Sequence, residues 1–176
     1  MKNEIKTKLE ITQGIMRDYF SDIKYRAQSD MIQSPEMVLA SKVGQCWEQA
    51  ELARFLLGKN GVPSKTYFID INHGPDNKPW PNYQTHTFLA FQDNRMHYWF
   101  EHSWEPYVGI HGYNSLKELL SDVKNKHIKS YETDGQIKAQ NFRIREYDSI
   151  KLPVAGNEFL WHCINSKVIE IENLSR

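Results

Sequence analysis

What this sequence lacks narrows it first. It has only two cysteines, Cys46 and Cys163, far too few for a disulfide scaffold. It has no net charge, since 22 Lys and Arg stand against 22 Asp and Glu, and no basic run breaks the balance. No field therefore recruits nucleic acid or an acidic membrane. No apolar stretch is long enough to span a bilayer or to form the centre of a signal peptide, and residues Met1 to Lys6 are polar and mixed in charge. The expected address is cytoplasmic. His73, His97, His102, His111 and His162 form no His-Glu-x-x-His and no Cys/His ligand spacing, so no metal and no other cofactor is expected. Repeats and low-complexity segments are missing too. What is left is ordinary globular material: 176 residues, 40% apolar and 25% charged, enough for one domain with a sizeable core.

The chain is organised around Val43-Gly44-Gln45-Cys46-Trp47-Glu48-Gln49-Ala50. From Cys46 the pattern is helical, with Cys46, Ala50, Ala53 and Leu57 on one face and Gly58, Asn60 and Gly61 as the stop. Gly44 permits a tight approach to that helix. A cysteine in the first turn sees the partial positive charge of the helix N-terminus, which favours the nucleophilic thiolate. A small buried apolar residue is the competing reading.

Around this stretch the periodicity predicts an amphipathic helix over residues 4–27, with Ile5, Leu9, Met16, Phe20 and Ile23 recurring, and a short helix from Pro35 to about Ala40 capped by Ser34. After Gly61 the pattern turns to strand at 65–71, then a proline-rich loop over 73–83, then strands at 85–92 and 95–103 about an Asp93-Asn94 turn. Ser115 caps a further helix to Lys126. A strand over 141–147, a short apolar helix over 158–165 and a strand over 168–171 complete the chain. Helices followed by a run of strands indicate an α+β domain with an antiparallel sheet.

A cysteine nucleophile needs a base, and the base needs an orienting group. An Asp93-Asn94 turn places Gln92 opposite Arg95 and His86 directly opposite Glu101, where a carboxylate accepts the imidazole N–H and fixes its tautomer. Phe88 then faces Trp99, Ala90 faces His97, and His102 points to the other face. A structural ion pair that merely sets the register is the alternative. Cys163 reads as core from its apolar neighbours.

Gly44-Gln45-Cys46-Trp47 at a helix start resembles the nucleophile motif of transglutaminases, including the larger animal enzymes. Thr85-His86-Thr87-Phe88 and Tyr98-Trp99-Phe100-Glu101-His102-Ser103 resemble the histidine strand and the aromatic strand ending in an acid of that superfamily. The resemblance covers about residues 35–107, with 1–33 as a helical extension of one domain, 1–176. It implies a papain-like core, with Cys46 as nucleophile, His86 as acid/base and Glu101 as orienter of an acyl transfer through a thioester. Glutamate stands where that family usually has aspartate. No tryptophan precedes Cys46 as a second oxyanion donor, and no acidic loop resembles a calcium site. Cys46 N–H is the natural first oxyanion donor. Gln45, Trp80 and Tyr83 are candidates for the second, and Trp47 and Trp99 join them as substrate contacts. Trp104-Glu105-Pro106-Tyr107 offers a further wall, and His97 a neighbour on the acid's strand face.

Three functions follow from the resemblance. The favoured one is a hydrolase (amidase, deamidase or peptidase) acting on a peptide, protein or small amide substrate. The others are a protein cross-linking transglutaminase and a non-catalytic peptide- or protein-binding module on the same fold. Oligomeric state has no signature in the sequence.

Overall fold

The computed structural model describes residues 6–26, 30–71, 85–130 and 142–174. The first helix, α1 (Lys8–Ile15), starts at a capping box in which Thr7 and Glu10 each satisfy the other's backbone. It widens into a π turn, Met16–Phe20, and stops well short of the expected end at residue 27. The cause is tertiary: β1 (Lys24–Tyr25) pairs in parallel with β3 (Val43–Gly44), which draws the chain out of helical geometry. Between them lie β2 (Met31–Ile32) and α2 (Pro35–Ser41), whose Ser34 cap accepts from Met37 N–H as the sequence indicates. Lys42, at φ 56°, then turns the chain toward α3 (Cys46–Lys59). Gly61, at φ 71°, carries it out of that helix.

The main sheet follows: β4 (Ser64–Ile71), β5 (His86–Asp93), β6 (Met96–Glu101) and β7 (Gly109–Tyr113), then α4 (Leu116–Lys129) and β8 (Phe142–Tyr147). The chain closes with β9 (Val154–Ala155), α5 (Gly156–Ile164) and β10 (Lys167–Val168). Six strands in the order β10-β8-β4-β5-β6-β7 pair antiparallel throughout. The glycine-bearing β7 carried no strand signal in the sequence. The proline-rich loop over 73–83 lies outside the described residues.

The sheet is covered on both faces, as the two apolar parities of its central hairpin require. Leu89, Phe91 and Phe100 pack with Ile15, Phe20, Val38 and Leu52 of the N-terminal helices. Phe88, Ala90 and Trp99 pack with Tyr67 and with Leu119, Leu120 and Val123 of α4. A third cluster joins Phe68 and Tyr147 to Phe159 and Cys163 of α5. Among the described residues no helix is long and apolar enough to cross a membrane.

The hairpin register corrects the expected one. Asp93 pairs with Met96 and Ala90 with Trp99, so the turn is Asn94-Arg95, not Asp93-Asn94. Asn94 sits at φ 54°, a left-handed angle that asparagine tolerates better than most residues. Relative to the expected pairing, β6 is displaced by two residues. Ala90 therefore faces Trp99 rather than His97, and Gln92 takes His97. Because side chains alternate with period two, a displacement of two keeps every residue on its own face.

Candidate active site

Cys46 is the first residue of α3, after Gln45 in extended conformation at the N-cap. It is buried at 8% exposure, and α3 lies against β4 and β5. His86 is the first residue of β5, and Glu101 the last of β6. His86 Nε2 lies 2.7 Å from Glu101 Oε2, and the Cys46 sulfur is near enough to the His86 ring to favour its charged form.

The displaced register explains how a glutamate serves here. In this register the position opposite Glu101 would fall to Phe88, so His86 is a diagonal neighbour rather than a facing one. Diagonal partners are roughly 7–8 Å apart, within reach only of longer side chains. Glu101 spans the diagonal with one oxygen. Its other oxygen, Oε1, accepts from Ser103 N–H at 2.9 Å, Ser103 Oγ at 3.1 Å and Trp104 N–H at 2.9 Å.

Electrostatics follow from this packing. Burial opposes charge on both groups. On His86 the Glu101 carboxylate prevails, helped by its hydrogen bond and by the nearby Cys46 sulfur, and the imidazole is raised to about 10. On Glu101 burial is outweighed by His86 and by the Trp104 and Ser103 N–H groups, and the carboxyl is held below its ordinary value. A buried imidazolium–carboxylate pair results.

Aromatic rings back the pair. Trp104 lies 5.2 Å and His127 6.3 Å from the His86 ring, centroid to centroid. Trp99 is fully buried behind them against Phe88, Trp104 and His111, so it supports the site without lining a cleft. Trp47 is half-buried and stacked on Phe159 at 5.2 Å. Trp80 and Tyr83 lie outside the described residues. His97 stands near the far end of β6, opposite Gln92, and is not part of the site.

A cavity of about 10 Å³, room for one water molecule, is lined by Cys46, Gln49, Thr87, Glu101 and Ser103 among others. Gln45 Nε2, on the residue before Cys46, is buried and has no hydrogen-bond partner among the described residues. Tyr25 adjoins this backbone: it pairs with Gly44, the residue is 59% exposed, and its phenol is raised by burial and then by the charge of Cys46. Among the described residues no cluster of His, Cys, Asp or Glu is placed to hold a metal ion.

Sequence reasoning missed Tyr25, Glu48, Gln49 and His127. His127 had a signal: it continues the buried Leu119, Leu120, Val123 stripe of α4, where a polar residue is out of place. Glu48 had one also, the Gln45-x-x-Glu48 spacing of a capping box. Tyr25 had none, because its place depends on a two-residue parallel pairing.

Comparison with known families and proteins bears on these residues. The family model described as the transglutaminase-like superfamily matches residues 1–109, a span that contains Cys46, His86 and Glu101. A search of curated proteins gave no match.

Proposed function

The chain belongs to the transglutaminase-like superfamily, and on that premise we propose that it is a thiol-dependent hydrolase that opens an amide through a thioester. At the family level this is cysteine-based acyl transfer or hydrolysis. The observation that carries the finer reading is the burial together of Cys46, first residue of a helix, and a His86 ring that feels its sulfur and is hydrogen-bonded to Glu101.

The chemistry assigns each group a step. Cys46 Sγ attacks the amide carbonyl, and a C–S bond forms while the carbonyl oxygen takes up negative charge. Cys46 N–H, which has no intrahelical acceptor at this position, receives that oxygen. The unpartnered Gln45 Nε2 is the second donor. As the C–N bond breaks, the His86 imidazolium gives its proton to the leaving amine. Water then adds to the thioester, His86 takes one of its protons, and the carboxylic acid leaves with Cys46 regenerated. Glu101 holds the ring so that the nitrogen left free of the carboxylate meets the sulfur, and it balances the imidazolium charge. Water is the acceptor in this reading because it is the commonest nucleophile wherever a site does not exclude it.

Alkylation by iodoacetamide, followed by mass spectrometry, tests the nucleophile without knowledge of the substrate. Cys46 reacts at neutral pH and His86→Ala slows it. Cys163, fully buried and with its thiol pushed up by burial foremost, stays unlabelled in the folded protein. Equal labelling of both thiols, or labelling indifferent to His86, refutes the assignment. Release of ammonia or amine from acyl-donor amides, with and without an added primary amine, separates the two transfer modes. Dominant amine incorporation would make this a cross-linking enzyme. Partner binding that survives Cys46→Ala, with neither product formed, would make it a binding module.

A further inference from the structure

We propose that Glu48 is a positioning residue that sets the oxyanion-binding backbone at Cys46, an inference that rests on the acyl-transfer reading above. Glu48 is fully buried, yet its carboxylate touches none of the reacting groups. Oε1 accepts from Arg26 Nη2 at 2.6 Å and from Gln33 N–H at 2.7 Å, and Oε2 accepts from Gln45 N–H at 2.8 Å. A buried charge is costly unless such partners compensate it, so the carboxylate pulls these three strands of chain onto itself.

The third partner matters most for chemistry. The peptide group between Gly44 and Gln45 is held at both ends by the first turn of α3. Glu48 takes its N–H, while Gln49 Nε2 donates to its carbonyl at 2.7 Å. The next peptide group carries the Cys46 N–H, and its carbonyl is fixed by Gln49 N–H at 2.9 Å. Glu48 and Gln49 therefore set the backbone angles of Gln45 from both sides. Those angles aim the Cys46 N–H and place the Gln45 side chain. A donor that must meet an oxyanion at about 2.7–3.1 Å tolerates little rotation there. Arg26, 29% exposed, supplies the counter-charge but does not touch Gln45.

Substitution separates these roles. In Glu48→Gln the amide oxygen keeps Arg26 and Gln33, its two donors, and the amide NH2 is turned against Gln45 N–H. In Glu48→Asp the charge stays and the reach to Gln45 is one methylene short. Arg26→Gln removes the ion pair and leaves the Gln45 contact in place. The probe is acetaldehyde, to which the thiol adds reversibly: the C–S bond forms, the thiol proton passes to the carbonyl oxygen, and nothing leaves. Its tetrahedral oxygen needs the oxyanion donors, whereas alkylation by iodoacetamide does not.

For each variant the acetaldehyde Kd, read as protection of Cys46, is compared with the iodoacetamide rate. Both Glu48 variants weaken acetaldehyde by about tenfold beyond any change in alkylation, a fraction of what deletion of an oxyanion donor costs. Arg26→Gln leaves that ratio within about twofold, because the donors are untouched. Should Glu48→Gln fail to fold, Glu48→Asp gives the same reading. An unchanged ratio in the Glu48 variants, or an equal change in Arg26→Gln, overturns the inference. An alkylatable wild-type Cys46 that acetaldehyde does not protect overturns the acyl-transfer reading, and this inference falls with it.

Discussion

Replacing Glu101 by aspartate restores the acid that transglutaminases usually carry, and here it should impair the site. Shortening the side chain by one methylene withdraws the carboxylate by about 1.5 Å, one C–C bond. From 2.7 Å the contact to His86 Nε2 opens to roughly 4 Å, beyond hydrogen-bond range. The turn contacts fare differently. Ser103 and Trp104 N–H lie two and three residues along the chain, and aspartate readily accepts from backbone that close. Aspartate therefore keeps the turn and releases the histidine. A charge-assisted hydrogen bond contributes about 1.5–3 kcal/mol, so Cys46 alkylation at neutral pH should fall by roughly one to two orders of magnitude. The His86 ring gives an independent readout. With its main charge partner withdrawn and burial unchanged, its titration should move down from about 10 toward its ordinary 6.5, as followed by NMR of 15N-labelled histidine. Unchanged titration and rate in Glu101→Asp would show that the backbone follows the shorter side chain. The diagonal-reach account would then be wrong.

Two further expectations follow from the same geometry. The buried pair imposes a window on stability. The contribution of His86, raised in the fold, is complete below about 6.5 and lost as pH rises through about 10, while that of Glu101, depressed in the fold, is present above about 4.5 and lost as pH falls through its folded value. Urea midpoints across pH should show both limbs, and His86→Gln should flatten the alkaline one. Gly44→Ala would put a Cβ 3.3 Å from both Gln49 Cγ and Val38 Cγ1, an overpacking cost of about 1–3 kcal/mol that thermal denaturation would register; an unchanged Tm would mean that α2 and α3 are free to separate.

The hairpin shows why part of this fold was legible and part was not. Apolar parity along 86–101 told which side chains share a face, because both faces are buried and the pattern admits no slip of one residue. Parity is blind to a slip of two. The turn had to decide that, and Asp93-Asn94 and Asn94-Arg95 differ only in which residue takes the left-handed angle, with no glycine to mark it. The His86–Glu101 pair survived the error for the same reason: a slip of two preserved the face, and the longer acid spanned the diagonal. The overlong first helix failed otherwise. Ile23 keeps the helical period, yet Lys24–Tyr25 pairs with Val43–Gly44. A partner eighteen or more residues away overrides local periodicity, and nothing local announces it.

The candidate site divides along the same line. Cys46, His86 and Glu101 stood out in the sequence because a lone cysteine at a helix start and a histidine and an acid on one face of a hairpin make an uncommon combination, and each ends or begins an element whose pattern is clear. Glu48, Gln49 and Tyr25 act, or stand close, through backbone that only the fold assembles. In the sequence Glu48 looks like a capping-box acid in the first turn of a helix, which the cap and the helix dipole explain without a further role. Its burial alone distinguishes it, and burial there depends on Arg26 and Gln33 arriving from another part of the chain. The same hub couples site to fold. The carboxylate that accepts from Arg26 and Gln33 also accepts from Gln45 N–H, so one side chain joins the N-terminal segment to the peptide next to the sulfur. The N-terminal segment is therefore not an appendage to the core motifs at 35–107. It supplies the counter-charge of Glu48, the strand beside Gly44 and the exposed Tyr25. A family match that begins at residue 1 rather than 35 agrees with these contacts between the N-terminal segment and the start of α3.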